Sequence, residues 1–241
     1  MIAAIVVAAA VRVGPGVYHP VFPATPAERE VPVAAFWLDR EPVSNANFLA
    51  FVVARPEWRR DRVKPLVADT DYLSQWASPT ELGARAPARS PVVRVSWFAA
   101  RAYCAWRGGR LPFEREWELA AAASETRRDA SDDPAWTEQI LAWYSRPTPE
   151  VPPAPSGRAN AWGVADLHGL VWEWIEDFGA ALVDADSRSP MRDQFCGASA
   201  ATSRDPRAYA TFMRIAFRSS LQARFSAANL GFRCAYDRSA T

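Results

Sequence analysis

The stretch Asp166-Leu-His-Gly-Leu-Val-Trp-Glu-Trp174 sets two carboxylates, one imidazole and two indoles around a glycine. Three readings compete for such a cluster: acid–base catalysis, a metal clamp of hard oxygens, or a packed turn whose acids pair with arginines elsewhere. The rest of the inventory narrows the choice. The only two histidines, His19 and His168, lie far apart with no serine or cysteine motif beside either, so a hydrolase triad has little support. No glycine-rich phosphate loop, CxxC pair or HExxH helix is written in the chain. Three cysteines remain: Cys104 in AYCAW, Cys196 in QFCGASA and Cys234 in GFRC.

Holding such a cluster in place falls to a chain of 241 residues, read as one domain. Its formal charge of +1, with acids and bases interspersed, lacks the electrostatic footprint of a nucleic-acid binder. Eleven tryptophans and twenty prolines, without an internal repeat, point to loops pinned by aromatic side chains. The opening MIAAIVVAAA is shorter than the about 20 apolar residues that a bilayer span needs, so no stable membrane span is expected. Residues 1–10 read either as an export-signal remnant without a basic n-region or as a first strand, and residues 11–241 as the domain proper.

The element pattern is mixed. VRVGPGVYHPVF reads as a strand, a Gly14-Pro15-Gly16 turn and a second strand. A further strand leads to a helix capped by Ser44, with Phe48, Leu49 and Val52 on one face. Residues 55–91, basic and proline-rich, read as surface loop with one short helix. Ser96 caps a helix presenting Ala99, Tyr103 and Trp106, ended by Gly108-Gly109, and Pro112 opens another that carries Glu114 and Glu116 in its first turn. PAWTEQILAWYS reads as a short helix, followed by a proline-rich connector. Asp205-Pro206 starts a helix expected to turn Tyr209, Phe212, Met213 and Phe217 inward, and NLGFRCAYD is the closing strand.

Four of these segments, DREPVSNANFLAFV, PVVRVSWFAARAYCAWRGGRLPFEREWELAA, NAWGVADLHGLVWEW and NLGFRCA, together resemble the formylglycine-generating enzyme, or sulfatase-modifying factor, family. They follow the family's order and cover most of residues 11–237. The resemblance implies a single compact α+β domain with a C-type-lectin-like fold, poor in regular secondary structure. PEWRRDRVKPLVADTDYLSQW, HGLVWEW, FCGA and FMRIAFRSSLQA further resemble a NirV-type subgroup, often encoded beside copper-containing nitrite reductase. Copper nitrite reductase is thereby the suggested partner.

The family's oxidases bind copper(I) between two cysteines, as a soft ion requires. Aligned on NLGFRC and on Arg218-Ser219, those positions fall at about Ala210 and Ile215, neither of which can ligate a metal. The implied oxidase activity therefore does not transfer. The resemblance also matches Cys104 and Cys234 to a structural disulfide, which would contribute roughly 4 to 5 kcal/mol and place the protein in the periplasm or outside the cell; two buried thiols in a cytoplasmic protein are the alternative. Cys196 stands where the family mostly has arginine, either as an inert thiol or as one soft copper contact helped by His168 or Met213.

In the family, the segment matching DLHGLVWE forms a calcium site, whose ligands here would be the Asp166 and Glu173 carboxylates and the Gly169 and Val171 carbonyls. A second calcium site of many members has no matching ligands in ASETRRDASDDPAWTEQILAWYSRPT. His168 is expected to face away from the metal, and one of Trp172 and Trp174 to enter the core while the other lines a groove. That groove, which receives a substrate peptide in the enzymes, would include Trp172, Arg218, Ser219 and Asn229. The expected function is a non-catalytic binding or maturation accessory. The alternatives are an oxidase with relocated copper ligands including Cys196, and a lectin-like sugar binder.

Overall fold

The computed structural model describes residues 9–20, 29–178 and 206–238. Strand β1 (Ala10–Val13) pairs antiparallel with β4 (Phe36–Asp39), which pairs on its other edge with β7 (Ala235–Tyr236). Val13, Phe36 and Leu38 are buried, as expected where one face of a strand meets the core. The turn at Gly14-Pro15 does not close a hairpin between β1 and the next strand. It passes the chain to a second sheet, in which β2 (Gly16–Tyr18) pairs with β3 (Val31–Val33). A short parallel pair, β5 (Trp172–Glu173) and β6 (Leu230–Gly231), carries the tryptophan-rich stretch.

Local signals set the helix starts. In α1 (Asn45–Ala54) the Ser44 side chain accepts from the Asn47 N–H, and in α2 (Trp97–Trp106) Ser96 accepts from Ala99, each meeting an otherwise unpaired first-turn donor. Phe48, Phe51 and Val52 of α1 and Ala99, Ala100, Tyr103 and Cys104 of α2 are buried against each other. Gly108 then takes a φ of +76°, and a Cβ on Gly109 would stand 2.6 Å from the Ala235 carbonyl oxygen. Glycine is thus required where α2 ends against β7. Cys104 and Cys234, 130 residues apart, are joined by a disulfide at this junction.

Three more helices follow. α3 (Glu114–Ala121) has the Glu116 carboxylate accepting from the Phe113 N–H, α4 (Pro134–Tyr144) is capped by Asp133, and α5 (Pro206–Ser219) packs on α4. Two expectations need correction. Residues 55–91 hold a short 3-10 turn (Pro56–Trp58), but they are not merely surface, since Tyr72, Leu73 and Trp76 are fully buried. The Trp76 indole N–H reaches Asn45 Oδ1 at 3.1 Å, and the Tyr72 hydroxyl donates to the Trp58 carbonyl at 2.9 Å. Most of the basic residues report the outer side of this loop, but Arg60 turns in and donates to the Leu73 and Trp76 carbonyls. On α5 the inward face is Ala210, Arg214, Ile215 and Arg218, while Tyr209 is exposed. A buried carboxylate on α3, described next, rotates the helix so that its arginines face in.

Candidate functional site

Trp172 in β5 and Trp174 just after it are two residues apart, so they turn to the same side, towards the larger core cluster, with Glu173 between them on the other. Trp174 is fully buried and donates from its indole to the Val95 carbonyl at 2.9 Å. Trp172, half-buried, stacks on Phe217 with centroids 4.6 Å apart and on Tyr144 at 5.1 Å, with Trp143 tilted beside it at 5.1 Å. The Asn229 carbonyl accepts the Trp172 N–H, and the Asn229 side chain donates to Thr148 Oγ1 at 3.4 Å. Trp172 and Asn229 share a recess of about 270 Å³ with the connector residues Arg146 to Pro149.

The other two expected groove residues go elsewhere. Arg218 is buried over the Trp117 ring at 4.5 Å and donates to Glu118 Oε1 at 3.1 Å, and Ser219 is buried with no partner for its hydroxyl among the described residues. Glu118 is the hub that turns α5, because Arg214 also grips it through Nε at 2.9 Å and Nη2 at 2.6 Å. Burial alone would raise the Glu118 carboxyl, but Arg214 and then Arg218 hold it below the usual range. Nearby Glu114 accepts the Tyr18 hydroxyl at 3.0 Å, and burial pushes its carboxyl up against the opposing pull of Arg218.

His168 is packed between the edges of Trp117 and Trp136. Its Nε2–H donates to the Ala121 carbonyl at 2.9 Å, which leaves Nδ1 as a bare acceptor. Burial and the neighbouring Arg214 lower its pKa to about 4, so the ring is neutral near pH 7.

The two acids of the opening stretch part company. Asp166 takes the Ser156 hydroxyl and the Gly157 N–H. Glu173, with no solvent access, is gripped on both oxygens by Arg233 and on one by the Trp117 indole at 2.7 Å. A divalent ion at Glu173 would meet the Arg233 charge in a buried place, where such repulsion is costly. The set Asp166, Gly169, Val171 and Glu173 therefore does not fit calcium as arranged. Among the described residues, no three His, Cys, Asp or Glu side chains group to hold a metal.

Residues 6–238 match the sulfatase-modifying factor enzyme 1-like domain. This chain belongs to that family. It is 33% identical, over 88% of its length and 83% of the relative's, to a formylglycine-generating enzyme of Streptomyces coelicolor. It is 31% identical, over 86% of its length and 79% of the relative's, to an inactive C-alpha-formylglycine-generating enzyme 2 of Bos taurus. The structure of PvdO from Pseudomonas aeruginosa aligns with a TM-score of 0.51, covering 95% of this chain and 92% of that one at 18% identity, a likeness of fold. The mixed, compact domain expected from the motifs is the fold observed.

Within this sulfatase-modifying factor domain, the positions expected for the copper thiolates, Ala210 and Ile215, are buried on α5 and bring no sulfur. Cys104 and Cys234 are bonded to each other, and Cys196 lies outside the described residues, as does Asp205. Inspection of the sequence missed Glu118, Arg214 and Arg233 as organisers of the site. The one local sign was an alanine followed by two arginines at every fourth position, Ala210, Arg214 and Arg218, which places the three on one side of the helix but does not say whether that side faces water or a buried acid.

Proposed function

We propose that this chain is a catalytically silent member of its family that binds an extended peptide segment of a partner protein. The observation that carries the reading is the thiol count. Of three cysteines, Cys104 and Cys234 are consumed by the disulfide, which leaves at most one thiol. A copper(I) site of two thiolates on one chain cannot be assembled from that inventory. The similarity to a relative named as inactive supports the same reading.

The binding surface is the recess beside Trp172 and Asn229. An aromatic ring held rigid by Tyr144, Trp143 and Phe217 offers apolar contact at small entropic cost, and Asn229 offers hydrogen bonds that a peptide backbone could take over from Thr148. The NirV-type motifs suggest copper nitrite reductase as the partner, and the disulfide suggests an oxidising compartment such as the periplasm. Titrating the purified chain with that reductase, by calorimetry and with copper analysis of the reductase, tests this. Saturable binding that weakens about tenfold in Trp172→Ala is expected, the scale of one buried aromatic anchor. The absence of both binding and altered copper loading would rule this partner out. Oxidation of a peptide thiol to an aldehyde by the isolated chain, abolished in Cys196→Ser, would instead establish the relocated-ligand oxidase.

A further inference from the structure

The proline-rich connector after α4 forms one side of the recess beside Trp172. Five of the nine residues from Pro147 to Pro155 are proline. Pro147, Thr148, Pro149 and Pro153 line the recess together with Trp143, Tyr144 and Trp172. An adjoining cavity of about 570 Å³ shares Trp143, Arg146, Pro153, Gly169 and Leu170 with it and is lined further by Ala154 and Ser156, so the connector runs along both. It is loosely tied there. Among the described residues, no backbone N–H or carbonyl of residues 147–155 takes part in a hydrogen bond. The one side-chain bond runs from the Asn229 amide to Thr148 Oγ1, at 3.4 Å on an exposed surface. Pro147 to Glu150 are exposed, and of the nine residues only Pro152 is buried.

A segment so rich in proline favours the extended polyproline II form, which makes no internal hydrogen bonds and keeps its carbonyls free for an outside donor. Proline also brings no N–H of its own, so packing it against rings leaves no donor unpaired. Grooves that receive such segments combine aromatic side chains with a hydrogen-bond donor beside them. Both parts are present here: Trp143, Tyr144 and Trp172 are the rings, and the Asn229 amide is the donor, set against a threonine between two prolines. We propose that this recess takes a proline-rich, polyproline II segment of the partner protein, and that the chain's own connector competes for the place in cis until it is displaced. The proposal rests on the peptide reading above and narrows it to one class of peptide.

The test uses the whole protein and two labelled synthetic peptides, PTPEVPPAP from the connector itself and the same peptide with every proline replaced by alanine, followed by fluorescence anisotropy. The variant Pro147→Gly/Thr148→Gly/Pro149→Gly loosens the exposed part of the connector and keeps the buried Pro152. It is expected to bind PTPEVPPAP saturably and about tenfold more tightly than the parent, as follows when a tethered competitor leaves the site open only about a tenth of the time. Thr148→Val, which removes only the contact to Asn229, should raise the affinity severalfold. The alanine peptide should bind about tenfold more weakly than PTPEVPPAP, since it must give up freedom that proline has already lost. Adding Asn229→Ala to the glycine variant should weaken PTPEVPPAP severalfold. Thermal unfolding of each variant separates lost binding from lost folding. Equal affinity of the parent and both folded connector variants overturns the cis competition. Equal affinity for the two peptides overturns the preference for proline and leaves the peptide reading standing, whereas binding of neither peptide by the folded connector variants overturns both.

Discussion

The Arg233 guanidinium holds both oxygens of the Glu173 carboxylate at 2.8 to 3.0 Å, and neither side chain has any solvent access. Arg233 also donates to the carbonyls of Asp39, Arg40 and Ala165, so this one side chain ties the closing segment to β4, to the loop before the tryptophan-rich stretch, and to β5. Removing it strands a buried negative charge and takes a donor from three carbonyls, of which that of Arg40 keeps the Ala165 N–H. Arg233→Met is expected to cost about 3 to 5 kcal/mol in denaturant unfolding. Adding Glu173→Gln should cost clearly less than a second independent loss, because the uncompensated charge disappears with it. Strict additivity would mean that the pair is not the organising contact described here.

The same relationship bears on calcium. With Glu173 occupied by Arg233 and Asp166 by Ser156 and Gly157, melting curves in calcium and in a chelator are expected to coincide. An ion that binds only the folded state at a hundredfold excess over its Kd would add about 2.7 kcal/mol, a change easily seen. A rise of that size in calcium, lost in Asp166→Asn, would show that the donor set rearranges around the ion.

The bond between Cys104 and Cys234 closes a loop with a sequence separation of 130. Loop-closure entropy alone makes the oxidised protein more stable than a Cys104→Ala/Cys234→Ala variant by roughly 4 to 5 kcal/mol. Mild reductant should lower the melting temperature of the parent toward that of the variant. An unchanged unfolding midpoint on reduction would show that the unfolded chain is not constrained by this link.

Asp39 supplies the pH dependence. Burial raises its carboxyl from the ordinary value of 3.8 to about 6, despite hydrogen bonds from the Cys234 N–H and the Tyr236 hydroxyl. A raised folded-state pKa means that the folded protein binds the extra proton between these two values. Its contribution is therefore complete below about pH 3.8 and is lost as pH rises through about 6. Relative to Asp39→Asn, the parent should lose up to about 3 kcal/mol between about pH 4 and pH 7, because each tenfold gain in proton affinity on folding is worth about 1.4 kcal/mol. Parallel stability curves for the two proteins would contradict this assignment.

Some of this was written in the chain. Ser44 and Ser96 cap the helices where their neighbours place them, because a cap bond spans only three residues and needs no tertiary partner. Trp172 and Trp174 both meet the larger core cluster, because residues two apart on an extended strand share a face. The family, with its pairing of Cys104 and Cys234, was legible in motifs that keep their order along the sequence. The burial of Tyr72 and Trp76 was not, since a basic, proline-rich loop shows its outer residues in composition and hides which rings turn inward. The inward face of α5 was legible only in part: of Tyr209, Phe212, Met213 and Phe217, favoured by aromatic periodicity, Phe217 does pack on the core and Tyr209 is exposed, while two arginines were drawn in by Glu118, 96 and 100 residues away. Glu173 likewise read as a metal ligand until folding brought Arg233 across 60 residues to meet it. A carboxylate's role depends on which cation reaches it first, and for residues so distant in sequence only the assembled fold decides that.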